Sequence, residues 1–222
     1  MGDNLQVAEL FYSIQGESTR AGLPCAFIRL SGCNLRCSWC DSSYTWQETG
    51  RAMTSDGILS WLAAYPGSLV EITGGEPLLQ EGVYRLMERL QAAGHEVLLE
   101  SNGSLPLDRV PLAVSIIMDI KCPGSGMAGH NLAANIDLLA KRCRQGGRDE
   151  IKFVISSEED FAWAAGLTED RGLTGWCPVL FSPVRDRMDP GRLAGLILER
   201  QLRVRLQLQL HTLLWPEAAR GV

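Results

Sequence analysis

Residues 33–40 read CNLRCSWC, with cysteines at 33, 37 and 40. Three thiols spaced i, i+4 and i+7 are too dense to be core packing and too asymmetric for an ordinary zinc site. A structural zinc takes four ligands, commonly as two Cys/His pairs. The remaining cysteines (25, 122, 143 and 177) are scattered, and Asp41, adjacent to Cys40, is poorly placed as a fourth ligand. A thioredoxin-like reading of Cys37 and Cys40 leaves Cys33 without a role. A four-iron cluster ordinarily takes four thiolates. Three would leave one iron open, and an open metal position is a reaction site.

Upstream, residues 25–31 (CAFIRLS) form an apolar run that predicts a buried strand. Arg29 is its oddity, because a guanidinium on a core strand requires an anionic partner. That partner is either a structural ion pair or a ligand near the strand's C-terminal end, where parallel α/β folds place their sites. Further upstream, residues 7–14 read weakly as a strand, followed by Gln15-Gly16-Glu17-Ser18, a glycine turn flanked by polar side chains.

Downstream, the pattern alternates. Helices are predicted over 53–65, over a segment with Val83, Leu86, Met87 and Leu90 on one face, over 131–144, from the first-turn acids Glu158-Glu159-Asp160, and from Asp189-Pro190. Strands are predicted over 68–72, 96–100, 114–120, 150–155 and 177–181. The stretch 202–210 (LRVRLQLQL) alternates strictly and predicts a last, half-exposed strand. Strands interleaved with helices imply a parallel sheet. The 222 residues fall short of the ~250 typical of an eight-fold barrel. The expected fold is α/β, a shortened open (β/α)6 partial barrel with mostly parallel strands, forming one domain over 1–222.

Apolar residues make up 45% and charged residues 21% of the chain, both near the globular average. The net charge of −5 argues against a nucleic-acid partner. No apolar run reaches the ~18 residues of a membrane span, and the N-terminus lacks a basic signal region. A cytoplasmic protein with no membrane partner is expected, its seven cysteines thiols or metal ligands rather than disulfides. Gly124–Gly129 spells GxGxxG, but the following strand does not end in the acid a dinucleotide site wants. It is read as a flexible loop over the active site.

CxxxCxxC, with the aromatic Trp39 before its last cysteine, resembles the signature of radical S-adenosylmethionine (SAM) enzymes. TGGEP at 73–77 looks like that superfamily's SAM-binding GGE motif. FYSIQGES, FIRLSGCNLRCSWCDSSYTW, TGGEPLLQ, ESNGSLP, MDIKCPGSGM, QLHTLLW and the terminal RGV, in that order, are similar to the 7-carboxy-7-deazaguanine synthase family. The alternative, an enzyme that installs a glycyl radical on a protein, shares the cysteine motif but generally not IQGE.

The resemblance implies a lyase of queuosine biosynthesis. It would convert 6-carboxy-5,6,7,8-tetrahydropterin to 7-carboxy-7-deazaguanine with loss of ammonia, using a [4Fe-4S] cluster, catalytic SAM and Mg2+. Cys33, Cys37 and Cys40 would hold the cluster and Ser42 the magnesium. Trp39, Cys40, Asp41, Gly75, Glu76, Ser101, Asp119, Ile120, Lys121 and Ser182, with the segment to Arg185, would bind SAM. Ile14, Gln15, Gly16, Arg29, Thr73 and the Val222 carboxylate would face the pterin. A flavodoxin- or ferredoxin-type electron donor and a homodimer are implied as well. One departure is QGES where QGEG is usual, so Ser18 must accept a turn that commonly holds glycine.

Overall fold

The computed structural model describes residues 4–218, 220 and 221. β1 (Asn4–Ile14) turns over residues 15–23 and returns antiparallel as β2 (Pro24–Leu30). The cysteine loop and one helical turn, α1 (Tyr44–Gln47), lead to β3 (Arg51–Thr54), which pairs antiparallel with the free edge of β1. Strands and helices then follow one another. They are α2 (Ser55–Leu62), β4 (Leu69–Gly74), α3 (Gly82–Ala92), β5 (Glu96–Ser101), β6 (Ser115–Ile120), α4 (Ala133–Arg144), β7 (Glu150–Ile155), α5 (Glu158–Asp170), β8 (Val179–Pro183) and α6 (Pro190–Glu199). A two-residue β9 (Arg205–Leu206) and α7 (Leu210–Leu214) come last. The nine strands form one open sheet in the order β3-β1-β2-β4-β5-β6-β7-β8-β9, parallel from β2 onward.

The helices bury their apolar stripes on one face of this sheet. Val83, Leu86, Met87 and Leu90 of α3 are completely enclosed, each contributing about 1.5–3 kcal/mol. Three starts are capped by side chains, those at Thr54 and Asp189 as the sequence implies. Thr54 accepts from Gly57 N, Ser157 from Asp160 N, and Asp189 from Arg192 N with Pro190 beside it. The opposite face carries only a small apolar patch of Phe11, Cys25, Phe27, Leu69, Leu98 and Ile117. Above that patch the same face turns polar.

Three local expectations are corrected. Met53 and Thr54 belong to edge strand β3, so the helix starts at Ser55. Of the nine alternating residues at 202–210, only Arg205 and Leu206 join the sheet. The backbone is captured at both ends instead: Leu202 N closes on Ile197 O of α6, and Leu210 N donates to Gly16 O at 3.1 Å. The glycine-rich segment at 124–129 is bolted down rather than free. Ser38 N donates to Ser125 O, Ser38 Oγ to Gly124 O, and Gly124 N to the Asp160 carboxylate.

Candidate active site

Strand pleating points alternate residues to the polar face. Arg29 on β2, Glu71 and Thr73 on β4, Glu100 on β5, Asp119 on β6 and Lys152 on β7 all emerge there. Parallel register sets Arg29 beside Thr73 and Asp119 beside Lys152. Together they floor a cavity of about 600 Å³.

These charges are organised. Lys152 donates to Glu100 at 2.7 Å and lies 2.5 Å from Glu17; burial opposes its charge, but the two carboxylates carry its pKa well above the usual lysine value. Burial likewise works against ionised Glu100, yet Lys152 and a 3.0 Å hydrogen bond from Thr73 hold it down at about 2. Glu71 is different: burial, and then the charge on Glu100, push it up to about 8. Its contact is the side-chain amide of Gln15. Lys121 pairs with Asp119 at 2.6 Å and lies 5.2 Å from the Trp39 ring.

The cysteine loop hangs over this floor and is zipped to TGGEP. Gly75 N donates to Leu30 O and Glu76 N to Gly32 O. A Cβ on Gly75 would run into the Gly32 backbone and come within 2.7 Å of the Cys33 Cβ, so only glycine allows this approach. Cys33, Cys37 and Cys40 are free thiols lining the cavity. Burial raises the pKa of Cys33 and Cys37, and Lys121 counters it. Three free thiols on one cavity suit a four-iron cluster, which takes its thiolates at separate corners. Among the described residues buried Trp39 Nε1 and Asp119 Oδ1 have no hydrogen-bond partner, and a polar cofactor beside the thiols would satisfy such atoms.

Of the residues assigned to SAM from the sequence, Trp39, Cys40, Asp41, Gly75, Ser101, Asp119, Lys121 and Arg185 line the cavity. Glu76 does not. Its carboxylate is wholly buried and accepts from Leu78 N, Asn102 N and Ser101 Oγ, so it shapes the site from behind. Ile120 packs into the core on the helix side. Ser182 is buried outside the lining, its hydroxyl without a partner among the described residues. Ile14, Gln15, Gly16, Arg29, Thr73 and Ser42 face the cavity. Val222 lies outside the described residues.

Arg29 has found a protein partner: its Nε donates to Glu9 Oε1 at 2.9 Å, and Glu9 also accepts from Tyr44 Oη at 2.5 Å. Among the described residues no hydrogen bond engages the terminal nitrogens of Arg29.

Several lining residues escaped sequence reading. Glu71, Glu100 and Lys152 are charges on otherwise largely apolar strands, Glu71 the single charge of its own, a signal like the one that singled out Arg29. The C-terminal segment carried no local signal of its place. Gln209 donates to Glu17 at 2.9 Å, His211 lies against Gly16, and Arg220 covers the Tyr44 ring at 4.0 Å while pairing with Glu48. This segment is a strap across the cavity mouth. Ser18 takes a left-handed conformation, φ +62°, as the departure from QGEG requires, and its hydroxyl accepts from Arg20 N.

Comparison with known proteins bears on this site directly. The radical SAM superfamily profile matches residues 27–122, spanning Arg29, the cysteine loop and TGGEP. The chain is 46% identical to 7-carboxy-7-deazaguanine synthase of Chlorobaculum tepidum, over 98% of this chain and 97% of that protein. It is also 46% identical to the synthase of Koribacter versatilis, over 98% and 100%. The crystal structure of QueE from Escherichia coli has the same fold, with a TM-score of 0.74 at 23% identity over 93% of this chain and 94% of that one. The chain belongs to the 7-carboxy-7-deazaguanine synthase family and is a radical SAM lyase that works with a [4Fe-4S] cluster and S-adenosylmethionine.

Proposed function

We propose that the chain converts 6-carboxy-5,6,7,8-tetrahydropterin to 7-carboxy-7-deazaguanine and ammonia, in one domain spanning its 222 residues. Substrate and product differ by ammonia alone, so the conversion needs no net oxidant. When bound, the cluster and SAM would supply radical chemistry, hydrogen-atom abstraction, to the site. The residues of this chain hold the reactants and exclude water. Cys33, Cys37 and Cys40 hold the cluster. Gly75 gives SAM close access to the backbone, and Trp39, Asp41, Ser101, Asp119 and Lys121 surround it. Arg29 presents its terminal nitrogens to the substrate carboxylate, a planar match for two oxygens. Thr73, Ile14, Gln15 and Gly16 border the pterin. Ser42 supplies one oxygen to Mg2+, a hard cation that takes its remaining oxygens from substrate and water.

The observation that carries this reading is the convergence of the three thiols, Arg29, Thr73 and Ser42 on one cavity of about 600 Å³. Anaerobically reconstituted protein with dithionite, SAM, Mg2+ and the carboxytetrahydropterin should yield the deazaguanine. SAM cleavage without that product would overturn the assignment. In the cell, a flavodoxin- or ferredoxin-type protein serves as electron donor, and the enzyme works in the cytoplasm as a homodimer. Among the described residues no helix is long and apolar enough to cross a membrane.

A further inference from the structure

Glu71 lies at the bottom of the cavity, on β4, and is 4% exposed. Its Oε2 accepts from the Gln15 side-chain amide. The other end of that amide, Gln15 Oε1, accepts from Glu17 N at 3.0 Å. The Gln15 backbone is committed too: its N–H donates to Leu23 O and its carbonyl accepts from Gly22 N, both at 2.8 Å. Gln15 is therefore a pin between the cavity floor and its own turn. That turn presents Gly16, which receives the strap through Leu210 N, and Glu17, which meets Lys152 and Gln209.

We propose that Glu71 is a positioning residue that works as an uncharged carboxylic acid, fixing Gln15 and, through it, the Gly16–Glu17 wall of the substrate pocket. The charges around it support this. Lys152 on β7 is already shared by Glu100 on β5 and Glu17 in the turn. From β2 the neighbouring group is the Cys25 thiol, which burial holds protonated. Among the described residues no ion pair reaches Glu71. Ionising it would place a third carboxylate around one ammonium, this one buried, whereas a neutral acid accepts from an amide without needing a cation. Burial and Glu100 favour the neutral form up to about pH 8.

The proposal rests on the pterin reading for its substrate but not for its spectroscopic test. With wild-type enzyme, the apparent KM for the carboxytetrahydropterin should climb about tenfold per pH unit above 8, with kcat little changed. Glu71→Gln mimics the neutral acid and should flatten that rise while keeping KM near neutral pH. Glu71→Leu removes the acceptor and should raise KM roughly fivefold to thirtyfold at every pH. An alkaline rise in KM that persists in Glu71→Gln would overturn the proposal. Independently, infrared difference spectra of substrate-free protein should show a protonated-carboxyl band that is lost near pH 8 and absent from Glu71→Gln. A band lost instead in the ordinary carboxylate range near pH 4 would overturn it as well. Absence of deazaguanine from the wild type, with the band behaving as stated, would sink the pterin reading and leave the assignment of Glu71 standing.

Discussion

Arg29 holds one anionic contact in hand, Glu9, and one in prospect, the substrate carboxylate. Glu9 takes its Nε, so removing the guanidinium leaves Glu9 and Tyr44 facing a gap. Arg29→Ala should raise the KM for substrate roughly tenfold to a hundredfold, the worth of a lost charge-assisted bond. The visible absorbance of the reconstituted cluster should be unchanged, because no cysteine depends on Arg29. Normal turnover in that variant would return Arg29 to a structural role. Glu71 makes a separate prediction about stability. Its folded pKa, about 8, lies above the ordinary value of about 4.3, so the folded chain binds an extra proton between those pH values. Stability must then fall as pH rises through this window. Glu71→Gln escapes that loss, so its Tm relative to wild type should increase from pH 5 to pH 8 and then level off. Thermal melts across the range check the sign. The three buried charges of the floor were as legible as Arg29, since each interrupts an apolar strand. What a strand cannot reveal is its neighbour: only register across the sheet pairs Lys152 with Glu100 and leaves Glu71 to Gln15.

Helices were the more readable elements because their start signals are local. Asp189 accepts from Arg192 N, two residues beyond Pro190. Asp189→Ala should cost about 1 kcal/mol, a fall in Tm of roughly 2–4 °C by calorimetry. The strand at 202–210 misled for the opposite reason. Alternation states which faces differ, not whether an edge is available, and this segment is diverted by Leu210 N onto Gly16 O. Gly16 is the other half of that diversion. A Cβ there would stand 2.6 Å from His211 Nδ1 and 3.3 Å from its backbone N, so the ring must turn away and the strap must yield slightly to seat over an alanine. Gly16→Ala should therefore weaken substrate binding by about tenfold or more, while far-UV circular dichroism and cluster absorbance remain those of the wild type. An unchanged KM would show that the strap can reseat at no cost.

In the whole molecule, one face of the sheet stores the helices and the other is reserved for chemistry. The small apolar patch beneath the cavity limits how deep ligands can sink. The hairpin turn and the C-terminal strap close the mouth from opposite ends of the chain, joined to each other by Gln209 and Glu17, while Arg220 fastens the strap to Tyr44 and Glu48 of the α1 turn. Deleting residues 208–222 should leave the cluster and the helical signal intact but reduce product formation at least ~100-fold, because water then reaches the radical chemistry. Turnover near wild type in the truncated chain would show that the strap is dispensable.

By itself the sequence determined the chemistry and the class of fold. Three thiols at 33, 37 and 40 and the glycines of TGGEP are short-range patterns, and their meaning does not depend on distant contacts. The order of strands and helices followed from periodicity for the same reason. The tertiary structure alone decided how the cavity is walled. It turned the Glu76 carboxylate inward onto Leu78, Ser101 and Asn102, paired Arg29 with Glu9, and drew Gln209, His211, Trp215 and Arg220 of the C-terminal segment onto the cavity. Each of those outcomes depends on residues far apart in the chain meeting across the sheet, and a buried charge takes its state from whichever partner the fold brings to it.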